Sequence, residues 1–319
     1  MRRMRARLFA AAKNVKYWLS AQAVMIVFAI LRLLPVDRAL NIADAAGRFL
    51  GPWTSRHKIA LDNLALAFPE KSLSERQAIA LDMWGNMAQL AAEYVFLDKL
   101  FDYDTEGKVP GRVEVRGREI FMRMAAEKKP KIFFTAHLAS FEMFPIASES
   151  FGMPIASLFR APNNPYLAEQ LGAMRKVSGA TLVRSRAGVA MTLARVLENG
   201  GDIGALVDQK FRGGLRTTFF GHPCDTSPLL PKLARQYECD VHGVRCTRLP
   251  EHRYRLEMHD KLDLPRAEDG RVDVVALAQA MNDMVESWVR ENPGQWTWFH
   301  KRWDTRGIRK KNRKPPAAA

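Results

Sequence analysis

The order of apolar and polar positions divides the chain into a helical first part and a later part in which strands and helices alternate. Residues 37–68 have the apolar spacing of one or two amphipathic helices. Ser72 and Glu75 then form a capping-box pattern, which predicts a long core-facing helix that ends near residue 98. The sequence therefore predicts helical additions ahead of the main fold.

From about residue 112 onward, short β-rich runs alternate with segments of helical spacing. This alternation is typical of an α/β fold with a largely parallel central sheet flanked by helices. Two antiparallel runs and a last amphipathic helix follow. The predicted strands cover residues 112–116, 131–137, 154–159, 181–185, 202–207, 241–248 and 253–264, and the predicted helices cover residues 117–128, 141–150, 165–178, 187–199, 226–237 and 272–290.

A mostly apolar run from Tyr17 to Leu34 follows a basic N-terminus. Its length of about 18 residues is near the lower limit for a membrane span and ordinary for a helix lying in the interface. The run lacks a clear signal-peptidase site, and both of its flanks are basic, so a shallow uncleaved anchor with both flanks in the cytoplasm is favoured over a signal peptide. A buried core helix is the alternative.

We therefore divide the chain into three parts. Residues 1–36 are predicted to form a basic segment and a membrane helix, and residues 37–303 a single main domain, with a division into two domains as the alternative. Residues 304–319 are basic and poor in apolar side chains, which predicts a disordered tail.

The chain has 49 Lys and Arg against 34 Asp and Glu, a net charge of +15, which favours anionic partners such as nucleic acid, an anionic membrane or a phosphorylated substrate. A non-catalytic basic binding protein is a remote alternative, because no helix-turn-helix, RNA-binding aromatic pattern or zinc spacing occurs. We therefore expect no nucleic-acid partner. The cysteines, Cys224, Cys239 and Cys246, suggest neither a disulfide framework nor a zinc site, and no metal or cofactor is expected.

One histidine and one acid stand at a predicted strand-to-helix junction. The β-rich run Ile132–Phe134 leads to His137, and a helix is predicted to start near residue 141, so Glu142 in its first turn can approach His137. Two other pairs with the same spacing lie within a helical or a strand-like pattern that points their side chains apart. The pairs set aside on these grounds are His57 with Asp62 and His252 with Glu257.

Polar residues are also predicted at the ends of neighbouring strands. In open parallel sheets, sites gather beyond the carboxyl ends of strands, where His137, Arg160, Arg184 and Asp208 are all expected. Guanidinium groups there are suited to anionic substrate groups. Asp208 and the adjacent Gln209 are expected to organise the pocket, with Asp208 paired to one of the two arginines or in contact with substrate.

Three further residues each have two possible roles. Asn163 and Asn164 either cap the helix that begins at Pro165 or bind substrate. His300 lies between aromatic residues, so a packed histidine or an interface anchor is favoured over a catalytic role.

Several sequence blocks occur in a fixed order along the chain. They are HLASFE at 137–142, FRAPNNP at 159–165, VDQ at 207–209, FFG at 219–221 and NPGQWTWFHKR at 292–302. These ordered blocks resemble the late acyltransferases of bacterial lipid A biosynthesis. The resemblance extends from Asn63 to Arg302 and is more specific than the histidine-acid spacing alone.

The resemblance implies a bacterial inner-membrane enzyme with a glycerolipid-acyltransferase-like α/β fold and a catalytic domain facing the cytoplasm. Such enzymes take an acyl chain from an acyl carrier protein thioester and transfer it to a hydroxyl of a phosphorylated glycolipid, a lipid A precursor. A related acyltransferase acting on a lysophospholipid or an aminolipid remains the alternative.

Elementary chemistry is consistent with that implication. Acyl transfer to an alcohol needs a base, and an imidazole titrating near ~6.5 is suited to the task. His137 is expected to be this base, and Glu142 is expected to hold the other ring N–H, as the acid does in catalytic triads. The expected substrate-binding residues are Arg160, Asn163, Asn164, Arg184, Asp208 and Gln209.

Overall fold

The computed structural model describes residues 2–104, 111–127, 129–175 and 181–303. The first part is helical: a capping box at Ser72 and Glu75 starts the long helix α4 as predicted, and α2 packs along α4. The predicted tail at residues 304–319 lies outside the described residues. The helices of this part are α1 (Arg2–Arg32), α2 (Val36–Leu50), α3 (Ser55–Ala67), α4 (Leu73–Glu93) and α5 (Leu97–Leu100), with a 3₁₀ turn at Gly51–Trp53.

The second part contains a seven-stranded sheet with helices on both faces, which confirms the predicted fold class. Each predicted strand and helix is present with boundaries shifted by a few residues. The strands are β1 (Val113–Arg116), β2 (Lys131–Thr135), β3 (Ile155–Phe159), β4 (Thr181–Arg184), β5 (Asp202–Leu206), β8 (Asp240–Leu249) and β9 (Arg253–Lys261). The helices are α6 (Arg118–Ala126), α7 (Met143–Ser150), α8 (Pro165–Arg175), α9 (Val189–Glu198), α10 (Leu229–Tyr237) and α11 (Val274–Glu291).

The strand order is β1-β9-β8-β2-β5-β3-β4, and the pairs along it are parallel except for β8 with β9. A separate antiparallel hairpin of β6 (Leu215–Phe219) and β7 (His222–Thr226) had no counterpart in the sequence analysis. Its strands are short and mixed in polarity, and the hairpin is held against α11. The order places β5 directly beside β2, although about 70 residues separate them in the chain.

The strand β2 lies at the centre of the sheet, and all five of its residues are buried. Because side chains alternate along a strand, Ile132 and Phe134 enter one core, while Phe133 enters the core on the opposite face. Burial on both faces explains the uninterrupted apolar run in the sequence. The residue that follows this strand is therefore delivered to a rigid edge of the sheet.

The N-terminal helix α1 contains a 22-residue stretch, Ala11–Arg32, that is long and apolar enough to cross a membrane. Its mean hydropathy is 1.4, and only 11% of the most apolar window is buried against the rest of the chain. The alternative of a buried core helix therefore does not describe α1. Length and composition do not distinguish a helix that spans the membrane from one that lies in its interface.

Candidate active site

The turn after β2 carries His137 and is fixed by the chain near residue 295. The backbone N–H of Ala139 donates to the carbonyl of Gln295 at 2.9 Å, and Leu138 forms an antiparallel bridge with Trp296. Ala139 adopts a left-handed backbone conformation with a φ of 44°. A non-glycine residue with positive φ costs free energy and persists only where the surrounding contacts impose it. The turn is therefore held in one conformation.

The carboxylate that holds His137 belongs to Asp208, two residues beyond β5. Its Oδ1 lies 2.8 Å from His137 Nδ1, and its Oδ2 accepts the backbone N–H of His137 at 2.8 Å and the indole N–H of Trp296 at 2.7 Å. The Asp208 side chain is 1% exposed, whereas the His137 side chain is 21% exposed. One ring nitrogen of His137 is thus fixed against a buried acid, and part of the ring remains open to solvent.

Electrostatics keep Asp208 ionised despite its burial. Burial by itself would raise the pKa of Asp208, but the charge of His137 and the hydrogen bonds from His137 and Trp296 outweigh it and lower the pKa to about 2. An ionised Asp208 can only accept hydrogen bonds, so Nδ1 of His137 must carry a proton. The Nε2 atom is then the nitrogen that can accept a proton.

The other side of the His137 ring faces Gln209 and His300. The amide nitrogen of Gln209 lies 3.0 Å from His137 Nε2 and 3.3 Å from His300 Nε2, and the two imidazole centroids are 5.9 Å apart. Burial, followed by the charge of His137, lowers the pKa of His300 to about 4. His300 is therefore neutral near pH 7 and adds no positive charge beside His137.

Glu142 does not contact the ring of His137, contrary to the expectation from the sequence. It precedes α7, but its Oε1 accepts a hydrogen bond from the hydroxyl of Tyr94 at 2.6 Å and pairs with the guanidinium of Arg175. The expectation that Glu142 orients His137 is wrong in this geometry, because Asp208 already binds Nδ1. The five-residue offset carries Glu142 around the turn and towards α8.

A small apolar cavity lies beside Glu142 and Arg175. It is lined by residues of β2, β3, β4, β5, α7 and α8, and its apolar side chains include Phe141, Phe144, Phe159, Leu182 and Leu206. A second cavity of about 290 Å³ lies between α1, α8 and the end of α4, and Tyr94 is part of its wall. The Tyr94–Glu142–Arg175 cluster thus stands between two apolar spaces.

The two predicted arginines lie at the expected edge but do not bind Asp208. Arg160 follows β3 and is exposed, and its charge contributes to lowering the pKa of His300. Arg184 is the exposed last residue of β4, three strand positions from β2, or about 14 Å at the usual strand spacing. The suggested pairing of Asp208 with either arginine is wrong, since both oxygens of Asp208 bind His137 and Trp296.

The asparagines before α8 have different surroundings. Asn164 Oδ1 accepts the backbone N–H groups of Tyr166 at 3.0 Å and Leu167 at 3.3 Å, which is the geometry of a helix N-cap. Its amide nitrogen donates to the carbonyl of Tyr17 at 2.7 Å and so connects α8 to α1. Asn163 is exposed beside it.

A buried ionic network supports the turn that carries His137. Arg248 pairs with Glu93, and both contact the hydroxyl of Ser140, at 2.8 Å and 2.6 Å respectively. The hydroxyl of Tyr254 also donates to Glu93, at 2.9 Å. Because a buried charge is stable only with its partners in place, this network holds the turn against α4 and β8.

Comparison with known proteins agrees with the family resemblance seen in the sequence, and it does so over nearly the whole chain. The family described as "Bacterial lipid A biosynthesis acyltransferase" matches residues 10–305. The chain belongs to this family. It is 26% identical over 300 residues to the lipid A biosynthesis myristoyltransferase of Escherichia coli K12, an alignment that covers 92% of this chain and 89% of that protein.

Two further relatives are similar over comparable lengths. The lipid A biosynthesis acyltransferase 1 of Shigella flexneri is 26% identical over 300 residues, with 92% of this chain and 89% of that protein covered. The lipid A biosynthesis acyltransferase of Haemophilus influenzae is 24% identical over 279 residues, with 85% of this chain and 83% of that protein covered. Membership of the family makes this chain an acyltransferase, as the resemblance implied.

Several residues of this candidate site were missed from the sequence. Tyr94 and Arg175 carried no signal, because a tyrosine or an arginine at an isolated position fits a core or a surface equally well. Trp296 lies in the NPGQWTWFHKR block, but no role was assigned to it. His300 was interpreted as a packed histidine, yet it lies in the site. The sequence identified Asp208 as a polar residue directly after a predicted strand. Its contact with His137 was not predicted, because the sequence did not show that β5 lies beside β2.

Proposed function

We propose that this acyltransferase moves a fatty acyl chain from an acyl carrier protein thioester to a hydroxyl of a phosphorylated lipid A precursor. The observation that carries the proposal is the His137–Asp208 pair at the carboxyl edge of the sheet, with Nδ1 bound to a buried carboxylate and the ring still partly exposed. The names of the relatives supply the substrate class, since each is a lipid A biosynthesis enzyme.

In this mechanism His137 Nε2 removes the proton from the acceptor hydroxyl. The oxygen attacks the thioester carbonyl, a tetrahedral intermediate forms, and its collapse breaks the carbon–sulfur bond. The imidazolium then returns its proton to the departing thiolate. Asp208 holds the proton on Nδ1 throughout and stabilises the positive charge that develops on the ring.

Gln209 is proposed to make room for the substrate. Its amide lies 3.0 Å from His137 Nε2, the position that the acceptor hydroxyl must take. Displaced by the hydroxyl, the amide remains close enough to donate a hydrogen bond to the oxygen of the tetrahedral intermediate. Such a donor stabilises charge that develops only in the transition state.

The remaining site residues are assigned to binding. Arg160 and Arg184 offer forked donors for the phosphates of the glycolipid at the exposed edge of the sheet. Glu142 is proposed to act through Arg175 and Tyr94 on the wall of the apolar cavities, where an acyl chain can lie. Asn163 is proposed to contact the acceptor near Arg160, while the amide of Asn164 already caps α8.

We place the enzyme at the bacterial inner membrane, anchored by α1, with the catalytic domain in the cytoplasm. The apolar, exposed surface of α1 supports the membrane assignment. The supply of acyl carrier protein thioesters supports the cytoplasmic side, because they are made there. The basic net charge of +15 suits both the anionic lipid surface and the phosphorylated acceptor.

The test incubates the full chain in membranes with acyl carrier protein thioesters of several lengths and a tetraacylated lipid A precursor, with a lysophospholipid in a parallel reaction. His137→Ala should lose on the order of 10² to 10⁴ in rate, and His252→Ala serves as a matched control outside the site. Absence of transfer with every donor, or full activity of His137→Ala, would refute the proposal. Preferential acylation of the lysophospholipid would establish the alternative acceptor.

A further inference from the structure

The helix α2 has an apolar outer face in addition to its buried one. Its inner face packs against α4 through Ala39, Leu40 and Ala43. Ile42 and Phe49 project outward about 100–120° around the helix axis from Ala43, and they lie only about 20° apart at 100° per residue. An ordinary surface helix would carry polar side chains there. The exposed fraction of Phe49 is 69% and that of Ile42 is 53%.

This apolar surface continues beyond the end of α2. Leu50 is 59% exposed, and Trp53, at the end of the 3₁₀ turn, is 81% exposed. We call Ile42, Phe49, Leu50 and Trp53 the α2 strip. Large apolar patches on a protein surface mark an interaction site, and four such side chains together are more than the scattered exposed residues of a normal surface.

The charges around the α2 strip favour an anionic partner. Residues 33–58 contain the basic residues Arg38, Arg48, Arg56 and Lys58 against the acids Asp37 and Asp44, a net charge of +2. Asp37 is paired with Arg112, and Arg48 is paired with both Asp44 and Asp82, so the basic residues outside these ion pairs are Arg38, Arg56 and Lys58. An exposed tryptophan among aliphatic and basic side chains is the combination that lies at the interface between lipid headgroups and acyl chains.

The α2 strip is also continuous with the helix that is proposed to enter the membrane. The helix α1 ends at Arg32, and Leu33 in the short connection to α2 is 83% exposed. The exposed apolar residues Ile26, Val27 and Ile30 of α1 precede it. Exposed apolar side chains therefore follow one another along the chain from α1 through the connection and onto α2.

We propose that the α2 strip is a second membrane-contact surface, which seats the domain on an anionic lipid surface beside α1. Contact at two elements, rather than at one helix, fixes the orientation of the catalytic domain relative to the bilayer. The basic flanks disfavour a second copy of the chain as the partner, since identical positive faces repel each other. The inference needs no particular acyl donor or acceptor, but it shares with the proposed function the placement of α1 in the membrane.

The native cysteines make a site-specific test practical. Cys224, Cys239 and Cys246 are all buried. Burial raises the pKa of Cys239 to about 11 and that of Cys246 to about 12. Because the thiolate is the reactive form, a cysteine introduced at the surface reacts selectively with a fluorophore near pH 7. Unmodified wild-type chain treated in the same way measures any background labelling.

The full chain carries an environment-sensitive fluorophore at Phe49→Cys or Trp53→Cys, with Ile26→Cys as the α1 probe. Met191→Cys, on the exposed face of α9, is the matched control. Vesicles of phosphatidylethanolamine and phosphatidylglycerol are compared with detergent micelles. We expect a blue shift and quenching by nitroxide-labelled lipid at positions 49, 53 and 26, and neither change at 191.

The outcomes separate this inference from the anchor assigned to α1. A response at position 26 without one at 49 or 53 would overturn the second contact while leaving the anchor intact, and silence at all three positions would overturn both. A response at 49 and 53 alone would keep the α2 strip and remove the anchor. A blue shift without vesicles that grows with protein concentration would assign the strip to self-association and overturn the lipid proposal.

A functional readout complements the spectroscopy. Phe49→Glu combined with Trp53→Glu should lower the rate of acylation of a precursor embedded in anionic vesicles several-fold and leave the rate in mixed micelles unchanged. Equal rates for wild type and variant in both media would contradict an orienting role for the α2 strip. Equal losses in both media would show damage to the fold and would likewise count against it.

Discussion

Replacing Asp208 with Asn should abolish most of the activity without removing a single buried hydrogen bond. Asp208 Oδ2 accepts two N–H groups, from the backbone of His137 and the indole of Trp296. An amide NH₂ at that position would leave two buried donors unpaired, at about 1–3 kcal/mol each. The asparagine therefore places its carbonyl oxygen there and its NH₂ group against His137 Nδ1.

This orientation reverses the tautomer of His137. The asparagine NH₂ donates to Nδ1, so the ring proton moves to Nε2, which can then no longer accept a proton from the acceptor hydroxyl. The variant also loses the charge that stabilises the imidazolium. Together these effects should lower the turnover rate on the order of 10³ to 10⁴-fold, or about 4–5.5 kcal/mol of transition-state stabilisation.

The assay measures initial rates of acyl transfer by full-length wild type and Asp208→Asn, together with the midpoint of thermal unfolding. The midpoint should change by only a few degrees, because both N–H donors keep an acceptor. Asp269→Asn, which alters an exposed acid paired with Arg235, is the matched control and should keep full activity. Retention of more than about a tenth of the wild-type rate by Asp208→Asn would refute the tautomer argument.

Three further predictions concern buried charges. Glu142→Ala should lower both the acylation rate and the unfolding midpoint, because Arg175 loses its carboxylate, and a second change of Arg175 to Met should restore much of the stability. Glu93→Gln should cost about 3 kcal/mol in the free energy of unfolding, measured with urea, because Arg248 loses its charged partner. The free energy of unfolding should also fall as pH decreases from about 6.5 to about 4, an effect that His300→Gln should reduce.

The sign of the pH effect follows from the two states of His300. In the folded protein its pKa is lowered to about 4, whereas in the unfolded chain it is near 6.5. Between these values the unfolded state binds a proton that the folded state does not, so acidification favours unfolding, by about 3 kcal/mol at the low end. An identical pH slope in wild type and His300→Gln would assign the loss to other groups.

The two ion-pair predictions have clear contrary results. An unchanged unfolding midpoint for Glu142→Ala would mean that the Glu142–Arg175 ion pair contributes nothing to stability. A cost below about 1 kcal/mol for Glu93→Gln would place the Glu93–Arg248 pair among ordinary surface ion pairs. Asp269→Asn again gives the reference for a surface pair measured in the same solvent.

Local patterns predicted the elements of the fold well. The buried run of β2, the capping box of α4 and the amphipathic spacing of α11 each depend on neighbouring residues only, and each was found close to the predicted position. The end of α4 was predicted less well, since the helix stops at Glu93 and not near residue 98. The hairpin of β6 and β7 was not predicted, because its mixed sequence has little apolar alternation and it depends on contact with α11. The candidate site likewise contains residues that local patterns predict and residues that only tertiary contacts bring together.

By itself the sequence determined that a buried strand ends at His137, that polar residues follow the other strands, and that the chain resembles a family of acyltransferases. The partner of His137 was decided only by the tertiary structure, because hydrogen bonding between β2 and β5 brings Asp208 beside a residue 71 positions earlier. Glu142 is nearer in sequence, but the turn and Arg175 direct it elsewhere. Sequence spacing fixes distance along the chain, whereas strand order decides which side chains meet.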